Sequence, residues 1–245
     1  MTVVEEEIPR AARGRASGIL ARARPEILEL KPYASARAVA PTGRVRLDAN
    51  ESPWSPDSET ALNRYPQPQD ARLVAAFAEL YHVDPAQVLP TRGSDEAIDL
   101  LIRAFCSAGV DAIVTSPPTF GYYAASAAVQ NVRVIEKPRA ASTGFHLDVA
   151  ALVAAARDPR VKLVFACNPG NPGGEMLGAD DLLEVADALR DHALLVVDEA
   201  YVEFADQASL AVDVRDRDNL AVLRTMSKAH ALAGARVGAL LAAPP

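Results

Sequence analysis

The chain has 245 residues, of which 50% are apolar and 23% charged. This composition is typical of a globular protein with a normal hydrophobic core and argues against a disordered or fibrous chain. Lysine and arginine number 25 against 32 acidic residues, so the net charge of -7 argues against a general nucleic-acid binder.

Two cysteines, Cys106 and Cys167, are too few for a disulfide framework, and the four histidines do not show the spacing of metal ligands. The acidic first ten residues lack the apolar run of a secretory signal, and the sequence contains no stretch of 18 apolar residues that could cross a bilayer. We therefore expect a cytoplasmic protein without a metal, a nucleic-acid partner or a membrane partner.

In chain order, the first predicted element is a short helix at residues 25–30. It is followed by an extended arm with many prolines that reaches residue 68, because each proline fixes φ and removes a backbone donor. From residue 70 the pattern becomes regular. Apolar residues at helical spacing predict two helices, one with Leu73, Phe77 and Leu80 and the next with Ile98, Leu101, Ile102 and Phe105.

Short apolar runs rich in β-branched residues alternate with these helices and predict strands. They lie at residues 112–115, 132–135, 161–166, 194–197, 220–223 and 237–241. Buried apolar strands separated by helices are typical of an α/β fold with a mostly parallel central sheet flanked by helices. In such sheets ligands bind at the carboxyl ends of the strands, so the residues that follow each strand are the candidates for function.

Two of these strand ends carry polar residues. The run 161–166 leads into Cys-Asn-Pro-Gly-Asn-Pro-Gly-Gly, a rigid loop with little side-chain bulk in which Asn171 offers a directional donor. The alternative is an ordinary tight turn. The run 194–197 ends in Asp198, with Tyr201 three residues later. A carboxylate at the end of an apolar strand needs a cation nearby, although a helix N-cap is the alternative.

The run 220–223 leads to Ser227 and Lys228, and then through small residues to Arg236. A lysine whose amine is desolvated can act as a nucleophile and form an imine, which requires Lys228 to be buried beside Asp198. The alternative is a solvated surface lysine. Earlier in the chain, Gly93 precedes Ser94 and Asp95 at a predicted helix start, where free backbone N–H groups and the helix dipole can bind an anion. Plain N-capping by Ser94 or Asp95 is the alternative.

Together these groups describe a single ligand, a flat cationic ring that carries an aldehyde and a phosphate. The lysine takes the aldehyde, and Asp198 pairs with a protonated ring nitrogen. The helix N-terminus, Ser227 and Arg236 take the phosphate. This ligand is pyridoxal 5'-phosphate (PLP). The glycine fingerprints of dinucleotide and nucleoside-triphosphate sites do not occur in the sequence.

The order of four motifs resembles the fold-type-I (class I/II) PLP-dependent aminotransferases. They are Arg-Gly-Ser-Asp-Glu at 92–96, Asn-Pro-Gly-Asn-Pro-Gly-Gly at 168–174, Asp-Glu-Ala-Tyr at 198–201 and Ser-Lys-Ala-x-x-Leu-Ala-Gly-x-Arg at 227–236. Three N-terminal motifs resemble those of the histidinol-phosphate aminotransferases in particular. These are Lys-Pro-Tyr-x-Ser-Ala-Arg at 31–37, Leu-Asp-Ala-Asn-Glu-Ser-Pro at 47–53 and Arg-Tyr-Pro at 64–66. The resemblance covers residues 30–241.

The resemblance implies a role for each matching residue. Lys228 would bond the cofactor and shuttle a proton, and Asp198 would keep the ring nitrogen protonated. Tyr201 and Asn171 would donate to the 3'-oxygen, and Phe120 would stack on the ring. The phosphate would be bound by the backbone N–H groups of Ser94 and Asp95 and by Ser227 and Arg236.

The resemblance also implies a homodimer, because Tyr65 would reach the cofactor phosphate of the partner subunit. Tyr33 and Asn50 would touch the substrate. The reaction would transfer an amino group from glutamate to imidazole-acetol phosphate, giving histidinol phosphate. Residues 1–50 would form an N-terminal arm with part of the small domain, and residues 51–245 the PLP-binding large domain. The family's C-terminal small domain would be missing, either because the sequence is a fragment or because the product is shortened.

The sequence leaves two other functions open. Relatives of the same fold, such as aromatic aminotransferases and phospho-amino-acid decarboxylases, share the lysine and the aspartate and differ in substrate contacts. A non-catalytic remnant that folds or dimerises without turnover is the other alternative.

Overall fold

Seven strands form one mixed sheet in the order β1-β7-β6-β5-β4-β2-β3. The computed structural model describes residues 18–31, 49–57, 62–66 and 69–244. The strands are β1 Val88–Thr91, β2 Ala112–Thr115, β3 Arg133–Glu136, β4 Val161–Cys167, β5 Leu194–Asp198, β6 Leu220–Thr225 and β7 Gly238–Ala242.

The α-helices of the described residues are α1 Pro25–Leu28, α2 Ala71–Tyr81, α3 Gly93–Phe105, α4 Tyr122–Val129, α5 Val149–Ala156 and α6 Ala179–Leu189. Short 3-10 helices lie at Gly18–Arg22, Pro85–Gln87, Ala141–Thr143, Val202–Phe204, Leu210–Arg215 and Ala233–Ala235. Two helix starts follow directly from the sequence. The Asp70 carboxylate accepts from the backbone N–H of Arg72 at the start of α2, and Asp148 accepts from that of Ala151 at the start of α5.

The sheet is parallel from β3 through β2, β4 and β5 to β6, as the sequence predicts. Strand β7 differs from the expected parallel arrangement because it runs antiparallel to both of its neighbours, β6 and β1. Strand β1 is absent from the sequence-based prediction. Its residues Val-Leu-Pro-Thr include a proline, which is tolerated because β1 lies at the edge of the sheet.

Helices cover both faces of the sheet, giving three layers with a hydrophobic core on each side. One core contains residues of α2, α5 and α6, and the other contains residues of α3 and α4. The predicted apolar face of α3 is confirmed, since Ile98, Leu101, Ile102 and Phe105 are all buried. Of the three apolar residues predicted to face the core from α2, only Phe77 is buried, whereas Leu73 and Leu80 are exposed. Ala78 and Tyr81 are buried in addition, so the predicted face of α2 is only partly correct.

The N-terminal region agrees with the sequence where the structure describes it. Helix α1 lies within the predicted residues 25–30, and residues 49–57 and 62–66 contain neither helix nor strand. Most of the remaining arm, including residues 32–48, lies outside the described residues. Among the helices that the structure describes, none has the length and apolar composition that crossing a membrane requires.

Candidate active site

The predicted strand ends meet at one edge of the sheet and enclose a cavity of about 170 Å³. Because β4, β5 and β6 are parallel, Cys167, Asp198 and Thr225 lie at the same edge. Because β7 is antiparallel, it begins at this edge, opposite Thr225, and brings Arg236 there. Nine residues singled out from the sequence line the cavity, namely Ser94, Asp95, Phe120, Asn171, Asp198, Tyr201, Ser227, Lys228 and Arg236.

Asp198 is a buried carboxylate at the floor of the cavity, with 2% of its surface exposed. Its Oδ2 accepts a hydrogen bond from the Tyr123 hydroxyl at 2.7 Å, and its Oδ1 accepts from the backbone N–H of Ala200 at 3.2 Å. Burial raises the pKa of Asp198, while these two donors and the Lys228 amine lower it in part. A cation placed against this carboxylate in the cavity would therefore be bound favourably.

Lys228 and Tyr201 lie on the same side of the cavity. The Lys228 Nζ is 5.5 Å from the centre of the Tyr201 ring, and the Tyr201 hydroxyl accepts a hydrogen bond from Asn171 Nδ2 at 3.1 Å. The expectation that the Lys228 side chain is buried is wrong, because Lys228 is exposed. It follows β6 by three residues and lines the cavity.

The loop that carries Asn171 is held in shape by its own hydrogen bonds. The backbone N–H of Gly174 donates to the Gly170 carbonyl, and that of Gly170 donates to the Glu175 carbonyl, both at 2.8 Å. The Glu175 carboxylate pairs with the buried Arg139 guanidinium. These contacts hold the loop against the cavity, which Asn171 lines, and they are consistent with the predicted rigid loop.

The N-terminus of α3 and the Arg236 guanidinium form a cationic end of the cavity. The N-cap residue Arg92 makes no side-chain capping bond, so neither Ser94 nor Asp95 caps the helix and the N-capping alternative is wrong. Arg236 donates to Ser227 Oγ at 3.2 Å and to Asp95 Oδ2 at 3.0 Å. Gly93 has a φ of 72°, in the left-handed region that favours glycine, and a Cβ there would lie 2.8 Å from the guanidinium. Uncapped N–H groups beside a guanidinium suit a phosphate.

Two residues predicted for the site do not line this cavity. Asn50 is exposed and has a φ of 52°, and Tyr65 is 67% exposed. Tyr33, which was also predicted for the site, lies outside the described residues.

Several residues that line or support the cavity were not singled out from the sequence. Thr225 and Cys167 line the cavity, and Tyr123 lies behind Asp198. Thr225 and Cys167 could have been found from the sequence, because they end β6 and β4 and ligands bind at the carboxyl ends of parallel strands. Tyr123 follows no strand, and nothing in its sequence neighbourhood points to Asp198.

A buried ion pair joins the two loops that carry Tyr201 and Lys228. Arg224, on β6, pairs with Glu199 at 3.5 Å and with Glu203 at 2.5 Å, and it lies 4.4 Å from the centre of the Tyr81 ring. Glu199 and Glu203 lie on either side of Tyr201 in the sequence, and Arg224 precedes Lys228 by four residues. Moving the two loops apart would leave a buried charge without its partner, which is costly. The ion pair therefore holds the loops in one relative position.

The comparisons with known proteins agree with this geometry. Residues 39–245 match the family described as aminotransferase class I and II. A histidinol-phosphate aminotransferase of Stenotrophomonas maltophilia is 48% identical over 229 residues, covering 92% of this chain and 63% of the relative. One of Xanthomonas campestris pv. campestris is 50% identical over 213 residues, covering 86% of this chain and 59% of the relative.

Among solved structures, the histidinol-phosphate aminotransferase of Sinorhizobium meliloti in complex with pyridoxal-5'-phosphate superposes with a TM-score of 0.68 at 31% identity. The match covers 74% of this chain and 49% of that one. The chain thus spans less than two thirds of the length of the curated relatives it matches and about half of this solved structure.

Proposed function

The chain belongs to the class I and II aminotransferase family, and from this membership and the cavity we propose that it carries the PLP-binding domain of a histidinol-phosphate aminotransferase. The reaction moves an amino group between glutamate and imidazole-acetol phosphate, forming or consuming L-histidinol phosphate. The single observation that carries the proposal is the shared cavity of Lys228, the buried Asp198 carboxylate and the cationic end at Arg236. The names of the relatives support the narrower substrate.

The donors and acceptors of the cavity fit PLP. The buried Asp198 carboxylate suits a protonated ring nitrogen, and the Lys228 amine suits the aldehyde. Tyr201 and Asn171 hold a hydroxyl and an amide at the position proposed for the 3'-oxygen. Ser94, Asp95, Ser227 and Arg236 cluster at the other end, where a phosphate would be bound by N–H groups and a guanidinium. The ring of Phe120 lines the wall on which the cofactor ring would stack.

PLP, when bound, withdraws electrons from the substrate's Cα, which makes the Cα proton acidic. The chain's residues do the rest. Lys228 would hold the cofactor through its Nζ and would move the proton at the substrate's Cα. Asp198 holds the proton at the ring nitrogen. Tyr201 and Asn171 orient the ring through its 3'-oxygen, and the buried pair of Glu199 with Arg224 keeps the Tyr201 and Lys228 loops in place.

The proposal includes a homodimer in the cytoplasm, in which Tyr65 binds the cofactor phosphate of the partner subunit while Tyr33 and Asn50 contact the substrate. The exposure of Tyr65 supports this role, since a side chain that serves a neighbouring subunit must point away from its own. The proposed division of the chain is an N-terminal arm at 1–50 and the PLP-binding domain from residue 51 onward.

Cofactor binding tests the proposal directly. The purified chain is titrated with PLP and followed by visible absorption, which reports the bond between a lysine amine and the aldehyde. We expect saturable binding that Lys228→Ala abolishes. Lys31→Ala is the matched control, because Lys31 is one of the four lysines of the chain, is exposed and lies outside the cavity. Unchanged absorption in Lys228→Ala, or equal loss in both variants, would contradict the cofactor assignment.

Substrate preference is measured in parallel with glutamate as the amino donor. We expect faster transfer to imidazole-acetol phosphate than to phenylpyruvate. Faster transfer to phenylpyruvate favours an aromatic aminotransferase, and release of CO₂ from a phospho-amino acid favours a decarboxylase. PLP binding without any of these reactions favours the non-catalytic alternative for this chain.

A further inference from the structure

Tyr123 is the polar side chain that contacts the Asp198 carboxylate from behind the cavity. It lies at the second position of α4, is fully buried, and donates its hydroxyl to Asp198 Oδ2 at 2.7 Å. The other carboxylate oxygen receives the Ala200 N–H, so each oxygen has one donor from the chain.

The position of the Tyr123 hydroxyl is fixed by the packing of its ring. The ring stacks on Phe165 of β4, with centres 4.7 Å apart and planes 15° apart. Phe120 packs against it edge to face, with centres 5.6 Å apart. Because these contacts leave the ring in one orientation, the hydroxyl is directed at the carboxylate before any ligand enters.

The groups around the pair favour a neutral phenol that donates its hydrogen to the Asp198 carboxyl group. Burial and the neighbouring Asp198 raise the pKa of Tyr123 well above its ordinary value, so the phenol remains a donor at neutral pH. Burial also raises the pKa of the nearby Cys167 thiol to about 11, so Cys167 adds no negative charge there at neutral pH. The hydrogen bond from Tyr123 is the largest of the contributions that lower the pKa of Asp198.

We propose that Tyr123 is a positioning residue of the active site, whose hydroxyl fixes the orientation and the negative charge of the Asp198 carboxylate toward the cofactor's ring nitrogen. The inference rests on the proposed function, because it requires PLP in this cavity. Without the hydroxyl, Asp198 Oδ2 has lost its donor, so the carboxylate becomes more basic and draws the shared proton away from the ring nitrogen.

The experiment measures the protonation of the ring nitrogen rather than turnover. The chain and its Tyr123→Phe variant are loaded with PLP labelled with ¹⁵N in the ring, and the ¹⁵N resonance is recorded at pH 7. We expect the ratio of protonated to unprotonated ring nitrogen to fall about tenfold in Tyr123→Phe, the size expected for a hydrogen bond to a charged group. Tyr122→Phe is the matched control, since Tyr122 is adjacent in sequence, lies 6.1 Å from the Phe120 ring and is not one of the two hydrogen-bond donors to Asp198.

Two further variants separate a positioning role from a structural one. Tyr123→Met fills a similar space without a hydroxyl and should shift the resonance in the same direction, which keeps the test valid where Tyr123→Phe folds poorly. In the Asp198→Asn background, Tyr123→Phe should cause no further shift, because the hydroxyl acts through the carboxylate.

The outcomes distinguish this inference from the proposed function. A parent chain that does not bind PLP contradicts the proposed function. A parent chain that binds PLP and shows the same ¹⁵N resonance as Tyr123→Phe overturns the role of Tyr123 and leaves the proposed function intact. A shift that persists in the Asp198→Asn background also overturns it, since the effect then does not pass through Asp198.

Discussion

Asp198, which the proposed function places against the ring nitrogen of the cofactor, lowers the stability of the fold. A buried carboxylate loses the hydration that it has in the unfolded chain, and the Tyr123 hydroxyl and the Ala200 N–H replace that hydration only in part. Its pKa is therefore raised by burial. Because the folded chain binds this proton more tightly than the unfolded chain does, protonation of Asp198 stabilises the fold. That contribution is lost as the pH rises toward and through the raised pKa. A cation bound against the ionised carboxylate would restore the stability that ionisation removes, as expected for a cation-binding site.

Replacing Asp198 with asparagine should separate stability from binding. The amide can accept from the Ala200 N–H and donate to the Tyr123 oxygen, without the cost of a buried charge. We expect the unliganded Asp198→Asn chain to unfold at the same or a higher temperature than the parent. The difference should grow as the pH rises from 4 to 8, because only the parent ionises. Its affinity for PLP should fall at least tenfold, because one partner of a buried charge pair is lost.

Circular dichroism melting across that pH range and a PLP titration measure the two effects. A variant that is less stable than the parent at pH 8 contradicts the desolvation argument. A variant with unchanged PLP affinity contradicts the contact between Asp198 and the ring nitrogen.

At the scale of elements, the direction of β7 decides where the Arg236 end of the cavity lies. Its first residue, Gly238, pairs with Thr225 of β6 and Thr91 of β1. A Cβ on Gly238 would lie 2.6 Å from the Arg224 carbonyl oxygen and 2.7 Å from the carbonyl carbon of Gly93. The N-terminus of α3 can therefore reach the cavity only because this strand position has no side chain.

Gly238→Ala should disturb both stability and the site. The added methyl group meets backbone atoms, which cannot rotate away, so we expect a loss of about 1–3 kcal/mol. For a chain of this size each kcal/mol corresponds to roughly 2–4 °C in Tm. PLP affinity should also fall, since the start of α3 is displaced. Gly234→Ala is the matched control, because a Cβ on Gly234 meets no atom within 4 Å. Equal melting temperatures for the two variants would contradict the close approach.

At the scale of the whole molecule, the described segments 49–57 and 62–66 are held together and carry exposed aromatic side chains. Glu51 accepts from the Arg64 guanidinium at 2.9 Å and from the Tyr65 backbone N–H at 2.6 Å. Trp54 is 80% exposed and Tyr65 is 67% exposed. Exposed aromatic side chains on a fixed backbone are typical of a surface that contacts another molecule, which in the proposed function is a second copy of the chain.

A mixed dimer tests whether Tyr65 acts on the partner subunit. One subunit carries Tyr65→Phe with Lys228 intact, and the other carries Lys228→Ala with Tyr65 intact, so only the first can bond PLP. If Tyr65 serves the partner, this dimer has one site of parental affinity. The Tyr65→Phe homodimer should bind about tenfold more weakly, because a hydrogen bond to a charged phosphate is lost.

Visible absorption during a PLP titration gives both affinities, and sedimentation confirms the dimer. A mixed dimer that binds as weakly as the Tyr65→Phe homodimer would show that Tyr65 acts within its own subunit. If the chain sediments as a monomer and its Tyr65→Phe variant binds PLP with the parental affinity, Tyr65 has no role in binding the cofactor phosphate.

The sequence by itself determined the α/β class, the parallel strands β2 to β6 and nine residues of the cavity. These follow from local rules, because a buried parallel strand reads as an apolar run and ligand residues follow its carboxyl end. Only the tertiary structure decided the direction of β7, the existence of β1, the exposure of Lys228 and the contact of Tyr123 with Asp198. The contact joins residues 75 positions apart, and the Asp95–Arg236 pair joins residues 141 apart. Such contacts depend on how whole strands and helices pack, and the sequence neighbourhood of a residue carries no record of that packing.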